Sequence, residues 1–234
     1  MQTSFGSSTR PIPADQRSLR RWCVAVNGEQ QTDVLYLVLD HPSFGTLTYG
    51  LTAGGHDGWT FHERGGGGSV ILPFCRSQGE LIVGLVEQER PLQGKRVLNA
   101  PRGFLECAEG HAVAAARELM EEMGFDAAAL ALTRLPGAPA NPNSTFFETL
   151  GPGEGVHFFA LEIPETLLTE DRGHRTFVAS VIATDQGARR SRLAEQIGAA
   201  VFIPWYEAAM LGDMFTNAAV ARLLAAQRDA DPVR

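Results

Sequence analysis

Gly103-Phe104-Leu105-Glu106-Cys107-Ala108-Glu109-Gly110-His111-Ala112-Val113-Ala114-Ala115-Ala116-Arg117-Glu118-Leu119-Met120-Glu121-Glu122-Met123-Gly124-Phe125 decides the reading of this 234-residue chain. From Ala112 the pattern is helical. With Glu118 at about 0°, Glu122 falls near ~40° and Glu121 near ~300°, so three carboxylates share a face about 100° wide. Leu119, Ala112, Met123, Ala116, Met120 and Val113 form an apolar stripe on the opposite side, facing a core. Gly124 stands where a left-handed residue ends a helix.

An acidic helix face is ordinarily a solvated one. Here the charges oppose one another. Glu118 and Glu122 are a like-charged i,i+4 pair, which costs on the order of 0.2–0.5 kcal/mol. Glu121 and Glu122 lie in the last turn, where the helix dipole disfavours anions by roughly 0.3–1 kcal/mol each. Arg117, four residues before Glu121, gives local relief. A hard divalent cation, Mg²⁺ or Mn²⁺, removes the conflict, because it accepts carboxylate oxygens and keeps positions for water and a substrate phosphate.

Gly103, Glu109, Arg117, Glu118, Leu119, Glu121, Glu122, Gly124 and Phe125 fill the pattern G-x5-E-x7-R-E-U-x-E-E-x-G-U, with U a bulky apolar residue. In this the chain resembles the Nudix hydrolases. The resemblance implies an α/β/α sandwich around a mixed sheet, with the box at 103–125 forming a loop, helix and loop. It implies Mg²⁺-assisted hydrolysis of a nucleoside diphosphate linked to another group, with Mn²⁺ as the alternative ion. Glu118 and Glu122 would be the main metal ligands and Glu121 a further one. Arg117 and Glu109 would brace the loop, and Gly103 would let the backbone approach the metal. Such chemistry suits a pyrophosphate bridge, whose oxygens repel an anionic nucleophile until cations neutralise charge and polarise a water.

Upstream of the box, Trp22–Val26, Val34–Leu39, Thr46–Leu51 and Trp59–His62 are short β-prone runs divided by Gly, Pro, Asn and Asp, the pattern of a small antiparallel β lobe. Val70–Phe74, Leu81–Val86, Val97–Leu98, Leu130–Leu135, Val156–Ile163 and Ala199–Ile203 read as strands. Tyr206–Leu211 and Asn217–Gln227 read as helices. The expected division is a lead-in and β lobe over 1–66 and an α/β domain over 67–230. Gly65–Gly68 lacks the Gly-Lys-Ser/Thr of a phosphate loop and leads into a strand.

Two flanking segments resemble the ADP-ribose pyrophosphatase and nucleoside-diphosphate-sugar hydrolase branch: Val86-Glu87-Gln88-Glu89-Arg90-Pro91, and Ala100-Pro101-Arg102-Gly103. The N-terminal lobe is also similar to that branch, where it contributes to a homodimer. The resemblance implies that Arg90 contacts the substrate diphosphate, as a guanidinium does by bidentate hydrogen bonds. It implies that Arg102 lies beside the substrate and offers its carbonyl to the metal. The branch draws a general base or a further metal ligand from a loop before the last strand, where Glu195 stands, with Glu165, Glu170 and Asp171 as rivals from an earlier loop. Asn141-Pro142-Asn143-Ser144-Thr145-Phe146-Phe147 would reach a base or simply make a turn. Asn99 replaces an acid frequent in the branch.

The rest of the composition narrows the partners. The net charge is −7 and the pI about 5.4, which gives no footprint for nucleic acid or an anionic membrane surface. The box holds −4 of that −7, so the acidity is largely the candidate ligand set. The longest apolar run, Val34–Leu39, is far short of the roughly 20 residues of a membrane span, and the N-terminus lacks a basic head and apolar run, so the expectation is a cytoplasmic protein. Cys23, Cys75 and Cys107 share no close spacing and suggest free thiols. The alternative to an enzyme is a Nudix domain that binds a nucleotide sugar without hydrolysing it. Such a sensor would have eroded box carboxylates or a fused DNA-binding domain, and neither is read here. A Nudix hydrolase of another nucleoside diphosphate derivative is the nearer alternative.

Overall fold

The computed structural model describes residues 19–26, 29–41, 45–51, 57–63, 67–90, 94–106, 108–127, 130–140, 147–148, 155–171, 173–182 and 197–230. The chain divides into two compact units. The first is Met1–Gly67 with Pro139–Val156, and the second is Gly68–Ala138 with His157–Arg234. Residues 139–156, which the sequence boundary leaves in the α/β domain, thus group with the N-terminal strands.

The first unit is a five-stranded sheet. β1 (Leu19–Val26), β2 (Glu29–His41), β3 (Gly45–Leu51) and β4 (Asp57–Glu63) form an antiparallel meander, the lobe expected from the sequence. Val26 pairs with Glu29, and Asn27-Gly28 between them is the sequence favoured by a two-residue hairpin. The strand at Phe147–Glu148 adds to the far edge, parallel to β4. Periodicity alone missed that strand, since two residues carry no pattern.

The second unit carries the nine-stranded sheet. Its central strands are β5 (Gly67–Ser77) and β6 (Glu80–Arg90), with β7 (Lys95–Asn99) on β6 and β8 (Arg102–Phe104) on β5. After β9 (Thr133–Arg134) and the short β10 just described come β11 (Gly155–Glu162), β12 (Leu168–Asp171), β13 (His174–Phe177) and β14 (Ile197–Pro204). The order is β12-β13-β14-β6-β5-β11-β9. Only Arg76 of β5 is exposed, as a strand covered on both faces requires.

Alternation by two sorts the core into layers. On one face Ile71, Cys75, Ile82, Val86, Phe159 and Leu161 pack with Ala115, Leu119 and Met123 of the box helix. On the other, Phe158 meets Phe215 at 6.3 Å and Arg222 at 4.3 Å, so the C-terminal helix covers that side. The result is the expected α/β/α sandwich. Each fully buried Leu or Phe contributes roughly 1.5–3 kcal/mol.

The sequence extends a strand over Leu130–Leu135, but only Thr133–Arg134 pairs. Glu170 and Asp171, expected in a loop, lie on β12 in a hairpin with β13. The last helix starts three residues earlier than expected, at Met214.

Candidate functional site

β8 places the start of the site. Arg102, Gly103 and Phe104 pair with Val70, Ser69 and Gly68, which sets Gly103 beside the box helix. A β-carbon at Gly103 would overlap Glu118 Oε1. Glycine is required there because a carboxylate fills the space that a side chain would take.

The helix differs from the simple one expected. α1 spans His111–Glu118 and continues as a π turn, Leu119–Met123, before Gly124 ends it at φ 70°. A π turn closes each ring over five residues. The four-residue step from Glu118 to Glu122 therefore falls short of a full turn rather than overshooting it by about 40°. The buried side is also rotated from the expected stripe. Ala114, Ala115, Glu118, Leu119, Glu122 and Met123 are buried, while Ala112 is exposed and Val113 is 62% exposed. On an ideal helix this sector centres near ~50° rather than on the stripe, which lies at about 100–220°. Two carboxylates are thus drawn inward with the apolar anchors. Phe125 then stacks on Phe177 at 4.6 Å, and Phe177 meets Phe202 edge-on at 5.1 Å, fixing the end of the helix against the sheet.

Arg117 organises the carboxylates. Its Nε and Nη2 donate to the two oxygens of Glu109, each at 2.9 Å, and Nη2 also donates to the Phe104 carbonyl. Nη1 donates to Glu118 Oε1 at 2.6 Å and to Glu121 Oε2 at 3.1 Å. The hydrogen bonds from Arg117, helped by the Glu106 N–H, hold Glu109 below the usual carboxylate range against the opposing effect of burial. The same pairing raises the guanidinium pKa further. Ala108, in the loop that delivers Glu109, has φ 62°, a left-handed conformation unusual for a residue with a β-carbon.

Glu122 is 4% exposed and accepts the Arg102 backbone N–H at 3.0 Å. The Arg102 guanidinium is taken up by Asp213, with Nη1 at 2.6 and 2.8 Å from its two oxygens, and lies 4.8 Å from the Phe215 ring centre. Burial pushes the Asp213 pKa up, but the Arg102 charge and hydrogen bonds from Arg102 and Thr216 together hold it below its ordinary value.

Among the described residues no three His, Cys, Asp or Glu side chains form a ready-made metal cluster. Arg117 Nη1 binds oxygens of both Glu118 and Glu121. The donor set still suits a hard cation. Glu109, Glu118, Glu121 and Glu122 against Arg117 carry a formal −3, and the missing side chain at Gly103 lets the Glu118 carboxylate lie directly against the backbone there, an all-oxygen surrounding of the kind a hard cation takes.

His111 anchors the other end of the helix. Its Nδ1 lies 3.0 Å from the Gly68 carbonyl, Ser69 Oγ donates to its carbonyl at 2.8 Å, and its ring stacks on His157 at 3.7 Å. Sequence reading missed this contact and the Asp213 contact. The N-cap signal of Asp213 before an apolar run was available, but its partner is 111 residues away.

Of the remaining candidates, Glu165 stands away from the box. Glu165 is hydrogen-bonded by Ser77 and Arg175, and Ser77 lies nine residues along β5 from Gly68, about 30 Å at roughly 3.3 Å per residue. Those bonds lower its pKa. Glu170 and Asp171 are exposed on β12. Arg90 is the last residue of β6, opposite Lys95, and its side chain is outside the described residues, as are Glu195 and Asn141–Phe146.

A family model of the NUDIX domain matches residues 67–206, more than half of the chain. No curated protein matches. Similar solved structures include one assigned as a NUDIX hydrolase of Listeria monocytogenes, 16% identical over 70% of this chain and 95% of that one, with TM-score 0.46. An ADP compounds hydrolase is 15% identical over 93% of this chain and 97% of that one, with TM-score 0.46. The Ap4A hydrolase of C. elegans is 13% identical over 69% and 96%, with TM-score 0.41.

Proposed function

Because this chain belongs to the Nudix family, and is thus a hydrolase of pyrophosphate bonds, we propose that it cleaves ADP-ribose or a related nucleoside diphosphate sugar, giving a nucleoside monophosphate and a sugar phosphate. The observation that carries this reading is the convergence of buried Glu118 and Glu122 on Gly103 and Arg102 of β8, with Arg117 bound to Glu109, Glu118 and Glu121. Glu118, Glu121 and Glu122, with the Arg102 carbonyl, would hold Mg²⁺ or Mn²⁺. The ion would supply positive charge for the diphosphate and lower the pKa of a water.

The chain's own residues do the rest. Arg117 keeps the carboxylates from separating under mutual repulsion, and the Arg102 N–H orients Glu122. Arg90 would bind diphosphate oxygens through its planar fork. Glu195 would accept the proton of the attacking water. Support for that choice is that the chain enters β14 at Ile197 opposite Gln88, at the same end of the sheet as Arg90 and Gly103 of β8. In this reading the protein is a cytoplasmic homodimer. A buried free thiol at Cys75 suits a reducing compartment, and among the described residues no helix is long and apolar enough to cross a membrane.

The test is a panel of nucleotide sugars and dinucleotides with Mg²⁺, read by phosphate-monoester release. Turnover highest on a nucleoside diphosphate sugar, and lost in Glu122→Gln with the fold retained, is expected. No cation-dependent turnover on any member would overturn the reading. Sedimentation of the purified chain reads the dimer.

A further inference from the structure

We infer that Asp213, immediately before the C-terminal helix, is a positioning residue for the cation site: it fixes the Ala100-Pro101-Arg102 backbone against which Glu122 docks. The helix that follows it, Met214–Ala230, covers the opposite side of the sheet from α1, yet Asp213 and the helix's first turn hold this segment at several points. Asp213 takes Arg102 Nη1 on both carboxylate oxygens. The same Asp213 Oδ2 accepts the Thr216 N–H at 2.9 Å and the Thr216 hydroxyl at 2.7 Å, and the Thr216 oxygen accepts the Ala100 N–H at 2.8 Å. Between them the Pro101 carbonyl accepts the Ile71 N–H at 3.0 Å.

Arg102 then passes this constraint to the site through its own N–H, which donates to Glu122 Oε2 at 3.0 Å. The relay accounts for Thr216, a polar side chain with no exposure, whose hydroxyl both donates and accepts. The Arg102 and Asp213 side chains are 24% and 18% exposed, so the charge-assisted bonds from Nη1 to both carboxylate oxygens are partly shielded from water. Groups that orient metal ligands from behind typically change metal affinity about 10- to 100-fold when removed. Asp213 itself touches neither cation nor substrate.

The inference rests on the proposed cation-dependent function, and its test reads binding apart from turnover. Mn²⁺ is titrated into the full chain and free Mn²⁺ followed by electron paramagnetic resonance, for wild type, Asp213→Asn, Arg102→Ala and the double variant, with circular dichroism confirming the fold. Asp213→Asn should weaken Mn²⁺ binding about 10- to 100-fold, and the double variant should be no weaker than the worse single, since both act on one path. Should Asp213→Asn fail to fold, Thr216→Val reads the same relay and should also weaken binding. A folded Asp213→Asn or Thr216→Val that only unfolds at lower urea, with Mn²⁺ affinity unchanged, would overturn the inference. So would additive losses in the double variant. If the wild-type chain binds no Mn²⁺, the functional reading falls with it. If wild type binds and Asp213→Asn binds equally, only this inference falls.

Discussion

Gly103 stands so close to the carboxylate of Glu118 that a methyl group on its α-carbon would overlap Oε1. Gly103 has no positive φ, so alanine would meet no backbone strain there, and the effect of Gly103→Ala is confined to displacing the Glu118 carboxylate. A shift of about 1 Å at a reacting site is worth about 100-fold in rate. Gly103→Ala should therefore lose about 100-fold or more in kcat, while unfolding by urea costs it about 1–3 kcal/mol for the overpacking. A variant with wild-type kcat would show that the Glu118 position is immaterial.

Arg117 binds both oxygens of Glu109 and reaches two further carboxylates and a carbonyl. Lysine supplies the charge as a point and cannot form the two parallel bonds of a guanidinium. Glu109 is 9% exposed at its side chain, so a broken fork leaves buried carboxylate oxygens short of donors. Arg117→Lys should lower stability by about 1–3 kcal/mol, read from the urea midpoint at pH 7. Equal midpoints would mean that the bidentate geometry contributes nothing.

Ala108 holds φ 62° in the loop that presents Glu109, a conformation costing a residue with a β-carbon about 1–2 kcal/mol. Glycine removes that cost and gives back part of it through a freer unfolded chain. Ala108→Gly should raise stability by roughly 0.5–1 kcal/mol in urea unfolding, since Ala108 is exposed and loses no packing. A destabilised variant would argue against the left-handed turn.

Much of the box was legible because its chemistry is local. Carboxylates at fixed spacing declare a charge conflict, and Gly124 ends the helix as its position suggests. What spacing could not supply was the face. A helical wheel treats Glu118 as polar and therefore outward, whereas the fold buries it beside Leu119 because Gly103 and Arg117 give it a place inside. The π turn has no signature of its own in the residues Leu119–Met123. Strands with alternating or β-branched runs were readable, but Arg102–Phe104 and Phe147–Glu148 are too short to have a period. Asp213 was readable as a helix start and unreadable as Arg102's partner, since that contact exists only once both faces of the sheet are covered.

His111 offers a pH signature of the packed helix start. Burial pushes its pKa below the ordinary value of 6.5, the Gly68 carbonyl partly opposes this, and the charge of Arg134 acts with burial. The groups facing it are His157 from β11, Arg134 from β9, and Ser69 and Gly68 from β5. Because the unfolded chain protonates this imidazole more readily than the folded one, its contribution to stability is complete above about pH 6.5 and declines as the pH falls toward the lower folded value. Urea midpoints at pH 7.5 and 5.5 should thus fall further for wild type than for His111→Gln, which is weaker at pH 7.5 through loss of the ring stack but has no proton to take up at this position. Carboxylates titrate chiefly below this window, which isolates the imidazoles. Parallel declines in the two proteins would show that His111 is protonated equally in the folded and unfolded chains, and that the ring is not held neutral between Gly68 and His157.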